Sequence, residues 1–153
     1  MLRAELDAIE GVMNQAQPLI NDPNRGFKGF LPAVFTYRVA ALFTRKVGEL
    51  GYLKLTAPQE VVRNLANAPD SWEDAVIKGK FAAPGWKKGD FFAEETSLNG
   101  RPAYRLLIPE YYEPSCLSCH GEPKGATDIS SGTKEGGKLG ELGGAISAAI
   151  YLK

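Results

Sequence analysis

Both cysteines and the only histidine of the chain lie in one pentapeptide, Cys116-Leu117-Ser118-Cys119-His120. The spacing C-x-x-C-H is the pattern of c-type haem attachment. Two thiols one helical turn apart can each add to one vinyl group of the same porphyrin, and the next side chain, His120, then lies below the iron as its proximal ligand. The motif therefore predicts one covalent haem c per chain.

Three other interpretations of this pentapeptide compete with haem attachment. A structural zinc site needs four ligands, whereas the cysteines and the histidine supply three and no second cluster follows. A thioredoxin-like redox pair is expected beside a βαβ pattern, which the sequence lacks. The third alternative is a buried cysteine pair with an incidental histidine. Because every Cys and His of the chain is in one motif, haem attachment is favoured over all three.

The elements that position this motif begin with two predicted helices. Apolar residues at spacings of three and four predict a helix over residues 2–20. A second helix is predicted to begin near Pro32, a favoured first helical position, and to end near Gly48 and Gly51. Its apolar face consists of Phe35, Val39, Leu42, Phe43, Val47 and Leu50.

After these helices the hydrophobic period changes to that of strands. Alternation predicts a short strand at 52–56, and a helix capped by Asp70 or Ser71 follows, with Trp72, Val76 and Ile77 on its inner side. Asn99-Gly100 between two apolar runs is a strong hairpin signal. The runs are 91–97 and 103–108, and a last strand is predicted at 143–152. Residues 121–140, rich in Gly, Ser, Thr and Lys, are expected to form an open loop.

Composition and length fit one α+β domain, with helices over about 2–50 and a sheet over about 51–153. The 18 basic and 18 acidic residues cancel, so the basic surface of a nucleic-acid-binding protein is absent. No apolar run approaches the roughly 18 residues that span a bilayer. The polar start of the chain shows no signal peptide. We nevertheless expect a periplasmic or otherwise extracytoplasmic protein whose signal segment has been removed, because haem c is attached outside the cytoplasm.

Four blocks, in order along the chain, resemble the c-type haem PAS-like sensor domains of bacteria. They are GFKGFLPAVF at 26–35, VVRNLANAPDSWE at 61–73, YRLLIPEYYEPSCLSCHG at 104–121 and GELGGAISAAI at 140–150. Such domains occur as stand-alone extracytoplasmic proteins and as sensor halves of chemotaxis receptors and histidine kinases. The resemblance implies a stand-alone member with helices before a five-stranded antiparallel PAS-like sheet. It also implies covalent haem c on Cys116, Cys119 and His120.

The resemblance also directs attention to the distal side of the haem. Many family members carry a distal Cys ligand on a first helix reading A-I-E-V-C, and others use Met. Here Val12 stands where the Cys would be, and Val has no lone pair for iron. Met13 points about 100° away from that position and lies on the apolar stripe, where Met is ordinarily core packing. We predict an open or weakly ligated sixth site over Val12; Met13 as distal iron ligand is the alternative.

Other side chains are candidates for the haem surroundings. Arg63, in the second family-like block, is the best partner for a haem propionate, because an arginine fork matches a carboxylate. Lys28, Arg38 and Arg105 are weaker candidates, for which a solvated surface charge is the favoured interpretation. Aromatic residues in these blocks fit either a porphyrin wall or core packing; they are Phe27, Phe30, Phe35 and Trp72.

Three functions compete for such a haem. A sensor of redox state or of a diatomic gas (CO or NO) tolerates the open sixth site that Val12 predicts, and is favoured. A small periplasmic electron-transfer cytochrome with His/Met ligation is the alternative. An enzyme is the weakest, because His120 is the only histidine and none is left as a distal proton shuttle. The expected partners are a diatomic ligand or a redox partner protein, with a homodimer through the N-terminal helix as a further expectation.

Overall fold

Antiparallel pairing joins four strands into one sheet with the order β1-β4-β3-β2. The strands are β1 (Gly51–Thr56), β2 (Phe92–Leu98), β3 (Arg101–Tyr111) and β4 (Leu142–Tyr151). The structure is a computed structural model that describes residue 11, residues 15–24 and residues 31–153. The predicted α+β class is confirmed. Within the described residues the sheet has four strands, one fewer than the resemblance implies.

The helices precede the sheet and interrupt it. Residues 15–21 form α1, which confirms the end of the first predicted helix; residues 1–10, 12–14 and 25–30 lie outside the described residues. The later helices are α2 (Pro32–Val47), α3 (Ser71–Val76) and α4 (Leu117–His120). Short 3-10 turns cover Gly48–Leu50 and Leu65–Asn67, and a π-helical turn, Ile77–Phe81, extends α3. No helix in the described part of the chain is long and apolar enough to cross a bilayer.

The β2–β3 hairpin forms as the sequence predicts. Asn99 and Gly100 connect the strands with φ angles of 52° and 76°. Two consecutive positive φ angles are the signature of the type I′ turn, whose twist matches that of the flanking strands. Leu98 pairs with Arg101 directly across the turn, so the register of the hairpin starts there.

The structure divides into two compact units, each built from two stretches of chain. The first, the motif unit, comprises residues 1–36 and 112–139. The second, the sheet unit, comprises residues 37–111 and 140–153. The motif unit's second stretch is therefore an excursion between β3 and β4, which are neighbours in the sheet. The expectation of a single domain stays a prediction.

In the sheet unit, α3 and its π turn pack on one face of the sheet. Val76, Ile77 and Phe81 are at most 4% exposed and form a core cluster with Leu107 of β3 and Ala145 of β4. The predicted inner residues of this helix are therefore confirmed, and Asp70 is its N-cap. Because this packing fixes α3 against β3 and β4, the side chains on its first turn reach the same sheet face.

The apolar face predicted for α2 is only partly buried. Ala40 is the one buried residue of the helix, whereas Leu42 and Phe43 are 46% and 41% exposed. The reason lies at Thr44, whose hydroxyl donates to the Leu53 carbonyl at 3.1 Å and accepts from the Leu53 amide at 3.0 Å. This pair of hydrogen bonds turns the Ala40–Thr44 side of the helix toward β1. Since β1 is an edge strand of the sheet, the two bonds also satisfy the backbone N–H and C=O of Leu53 on its unpaired side.

Candidate haem-attachment site

The C-x-x-C-H pentapeptide forms a single helical turn just after β3. The His120 amide donates to the Cys116 carbonyl at 3.0 Å, and the Cys119 amide donates to the same carbonyl at 3.1 Å. Pro114 lies ahead of the turn and its carbonyl accepts from the Leu117 amide at 3.4 Å. Residues three and four apart on a helix share one face, so Cys116 shares a face of the turn with Cys119 and with His120, while the neighbours Cys119 and His120 point about 100° apart.

The thiols remain as separate cysteines, with Cys116 and Cys119 each partly buried and not joined in a disulfide. Among the described residues no group of three or more His, Cys, Asp and Glu is arranged to hold a metal ion. In residue type and order, two thiols followed by an imidazole fit the donor set that a covalent haem requires.

The His120 ring is held from two sides. Its Nδ1 lies 2.9 Å from Oε2 of Glu135, a residue whose side chain is only 13% exposed. The ring of Tyr112 stacks on the imidazole, with centroids 5.4 Å apart and an interplanar angle of 22°. The backbone amide of Gly137 donates to the His120 carbonyl at 2.7 Å. With Nδ1 engaged, Nε2 is the ring nitrogen left to meet a metal.

The segment that carries Glu135 is more ordered than the predicted open loop. The Gly125 amide donates to the Lys134 carbonyl and the Lys134 amide to the Ala126 carbonyl, both at 2.9 Å. Inside this small hairpin the Asp128 carboxylate accepts from the amides of Ser130 and Gly132 at 2.6 and 3.0 Å. The composition signalled flexibility, but the Asp side chain organises the turn locally. The hairpin fixes Lys134, the residue before Glu135.

The end of α1 is attached to the motif. Ser118 Oγ donates to Asn21 Oδ1 at 3.0 Å, and Gln17 Nε2 donates to the same oxygen at 2.8 Å. Gln17 is 7% exposed and Ile20 1%, so the last turn of α1 is packed rather than solvated. The first helix therefore ends beside α4. The contact is made by Ser118, which lies between the two cysteines in sequence.

The candidate distal ligands cannot be placed. Val12 and Met13 lie outside the described residues, as do Lys28, Phe27 and Phe30. Arg63 and Arg38 are exposed in the sheet unit, whereas the C-x-x-C-H turn belongs to the motif unit. Their pairing with haem propionates stays a prediction.

Arg105 corrects the interpretation that it is a solvated surface charge, because it is only 2% exposed. Its Nη2 lies 2.6 Å from Asp70 Oδ2 and 3.5 Å from Glu73 Oε1. The guanidinium also covers the ring of Trp72, 4.1 Å from the centroid. Both carboxylates are partners of Arg105 within the sheet unit, and Trp72 also packs on the core cluster of α3.

A buried carboxylate, Glu73, is at the centre of this polar cluster. Glu73 is 0% exposed and accepts from Tyr52 at 3.1 Å and from Lys54 at 2.7 Å. Burial acts to raise the pKa of Asp70, but the hydrogen bonds from the Glu73 amide and from Arg105 outweigh it and lower that pKa. The cluster therefore binds α3 to β1 and β3 through ionised groups.

Sequence reasoning missed Glu135, Tyr112 and Gly137. One signal for Glu135 was present. A metal-binding imidazole normally donates its second N–H to an acceptor, and residues 121–140, which follow the motif, contain three acidic residues. No local pattern distinguishes Glu135 from the other two, Glu122 and Asp128. The stacking of Tyr112 depends on how the segment folds back and has no sequence signature.

The C-x-x-C-H turn thus lies in the chain between two strands of an α+β fold. The model of the Tll0287-like family matches residues 1–150, so the chain belongs to the Tll0287-like family, a family of cytochrome c-type sensor domains. No curated protein and no solved structure matches the chain.

Proposed function

We propose that this protein is a haem c sensor domain in which Cys116 and Cys119 carry the haem and His120 is the proximal iron ligand. The observation that carries the proposal is the geometry of His120: its Nδ1 lies 2.9 Å from Oε2 of Glu135, which leaves Nε2 as the ring nitrogen for the iron. A catalytic or electron-transfer function would use the same attachment. Haem attachment and its function as a sensor are therefore two separate claims, each with its own test.

The chain's own residues supply attachment and orientation. The two thiols form the thioether bonds, which hold the cofactor even in an exposed pocket. Tyr112 limits rotation of the imidazole by stacking on it, and the Gly137 amide fixes the backbone of the same residue. Haem iron, when bound, supplies a redox centre and a coordination position for a diatomic ligand.

The finer form of the proposal concerns the sixth coordination site and the surroundings of the domain. We take the sheet to be PAS-like, on the resemblance of the four sequence blocks, and Val12 to face an open or weakly ligated site for CO or NO. The packing of the last turn of α1 beside α4 supports a distal wall built from the first helix. A partner protein would receive the signal, and extracytoplasmic maturation would attach the haem.

Attachment is tested by producing the protein with a cytochrome c maturation system. We expect the haem to remain with the chain through acid-acetone extraction and through a denaturing gel, because thioether bonds survive both. Cys116→Ala and Cys119→Ala each leave one thioether, and the double variant should lose all covalent haem. A colourless wild-type protein, or one whose haem is fully extracted, contradicts the proposal.

The proximal ligand is tested by His120→Ala. This variant keeps both cysteines, so haem remains covalently attached, but the strong axial field of the imidazole is lost. We expect the ferrous absorption spectrum to change and exogenous imidazole to restore it. An unchanged ferrous spectrum would show that His120 is not an iron ligand.

Sensing is separated from electron transfer by spectra of the ferric and ferrous protein with and without CO or NO. We expect ready CO binding in the ferrous state, altered CO-binding rates in Val12→Ala, and an almost unchanged resting spectrum in Met13→Leu. If Met13→Leu instead abolishes a low-spin spectrum, then Met13 is the sixth ligand and the protein is an electron carrier.

A further inference from the structure

We propose that Glu135 is a positioning residue for the proximal ligand: its carboxylate fixes the tautomer of His120 and lowers the reduction potential of the iron. This inference rests on the proposed function, because it concerns the same imidazole. The contact behind it is direct: Oε2 of Glu135 lies 2.9 Å from Nδ1 of the His120 ring.

The direction of this hydrogen bond follows from the chemistry of its two partners. An ionised carboxylate only accepts, so in the Nδ1–Oε2 pair the proton is on the imidazole nitrogen. In a neutral imidazole only one nitrogen carries hydrogen, so Nε2 then presents its lone pair. The opposite tautomer would face iron with an N–H group and could not coordinate it. Glu135 therefore selects the tautomer that the proximal position requires.

The position of Glu135 is set on both sides along the chain. The preceding residue, Lys134, is held in the small hairpin because its amide donates a hydrogen bond to the Ala126 carbonyl. Two residues later the Gly137 amide donates to the His120 carbonyl at 2.7 Å. Backbone hydrogen bonds on both sides of Glu135 thus fix the chain that carries the carboxylate, and the carboxylate itself is largely buried.

Partial burial strengthens the effect of this carboxylate. The Glu135 side chain is 13% exposed and the His120 side chain 31% exposed, so water screens their interaction incompletely. A hydrogen bond to an anionic acceptor increases the basicity of a metal-ligating imidazole. A more basic ligand donates more electron density and stabilises ferric over ferrous iron, so the reduction potential is lower than it would be with a neutral acceptor.

The test compares Glu135→Gln with Glu122→Gln in the haem-loaded protein at a single fixed pH. Glutamine keeps the size of the side chain and an oxygen acceptor but removes the negative charge from the hydrogen bond. Glu122 is the matched control, because it is exposed, is two residues from His120, and its carboxylate accepts from the Lys124 amide rather than from the imidazole. Both variants change the net charge of the same segment by the same amount.

We expect the reduction potential of Glu135→Gln to rise above that of the wild type, and that of Glu122→Gln to move much less. The iron–histidine stretching frequency of the ferrous protein, measured by resonance Raman spectroscopy, should fall in Glu135→Gln alone, and Glu135→Asp should restore part of both shifts. Equal shifts in the two Gln variants would show a general charge effect and overturn the proposal, as would an unchanged potential and frequency in Glu135→Gln. A failure of the proposed function is distinguishable, since wild-type protein would then hold no covalent haem or lack histidine ligation.

Discussion

Gly137 illustrates how single residues around His120 depend on one another. A Cβ atom built on Gly137 collides with the ring of Tyr112, the same ring that stacks on the imidazole. The backbone of Gly137 does not adopt a positive φ angle, so a side chain is excluded by space and not by conformation. The glycine therefore allows the segment after Glu135 to lie against Tyr112.

We expect Gly137→Ala to displace Tyr112 and to lower the free energy of unfolding by about 1–3 kcal/mol, as overpacking does elsewhere. Urea unfolding measures the loss, and the haem spectrum reports any change at His120. Gly85→Ala is the matched control, because a Cβ at Gly85 meets nothing within 4 Å. If the collision is the cause, Tyr112→Ala should remove the penalty of Gly137→Ala in the double variant; additive losses would contradict this explanation.

Among the elements, α3 shows most clearly what the sequence predicts and what it does not. Asp70 was expected as a cap, and the structure shows a full capping box in which Glu73 also accepts from the Asp70 amide at 2.8 Å. The burial of Glu73 had no local signal, because its partners Tyr52, Lys54 and Arg105 come from strands 19 to 32 residues away in sequence. Local patterns give helix bounds and caps, whereas tertiary pairing decides which charges are buried.

The same contrast holds for the strands and for the segment after the motif. Alternating apolar residues and Asn99-Gly100 predicted β2 and β3 to within a few residues, since these signals are local. The C-x-x-C-H motif likewise predicted its own helical turn. The partners of His120 were not predictable, because Glu135 and Tyr112 are 15 and 8 residues away in sequence and no local pattern links them to the ring.

The attachment of α3 to the sheet by buried charges leads to a prediction about Arg105. Arg105→Leu leaves buried Glu73 with Lys54 as its cationic partner and removes the cation that pairs with Asp70. Breaking a buried ion pair by removing one member costs about 3–5 kcal/mol, and we expect a loss of that size in chemical unfolding. Lys78→Ala is the control: it breaks the exposed pair with Asp74, in which Lys78 is 58% exposed, and an exposed ion pair contributes far less because water screens it. Similar losses in the two variants would show that the buried cluster does not stabilise the sheet unit.

At the scale of the whole molecule, the C-x-x-C-H motif and the buried charge cluster lie in different units of the structure. The motif unit carries the haem-attachment turn and its partners Tyr112 and Glu135, and the sheet unit carries the buried charge cluster. Residues 112–139 leave the sheet at the end of β3 and return at the start of β4, so the site is inserted between two paired strands. Tryptophan fluorescence reports on the sheet unit, because both tryptophans of the chain, Trp72 and Trp86, belong to it.

Tyr52 makes the free energy of unfolding of the sheet unit depend on pH in the alkaline range. Burial and, next, the charge of Glu73 raise the pKa of Tyr52 from 10.0 to about 12, against the opposing effects of Ser147 and Arg105. Between these two values the unfolded chain has lost the phenolic proton while the folded protein keeps it. The stabilising contribution is therefore fully present below pH 10 and is lost as the pH rises toward 12, by roughly 2–3 kcal/mol in total.

We expect the free energy of unfolding, followed by tryptophan fluorescence in urea, to fall more steeply between pH 10 and 12 in the wild type than in Tyr52→Phe. At neutral pH the variant is less stable, because the Tyr52 hydroxyl contacts Glu73, Ser147 and Arg105 at 3.0 to 3.3 Å. At alkaline pH the difference between the two proteins narrows, because only the wild type then has an ionised phenol buried beside Glu73. Tyr104→Phe is the control: Tyr104 is 44% exposed, and its profile should run parallel to that of the wild type. Parallel profiles for Tyr52→Phe and the wild type would show that the Tyr52 hydroxyl does not carry the alkaline loss.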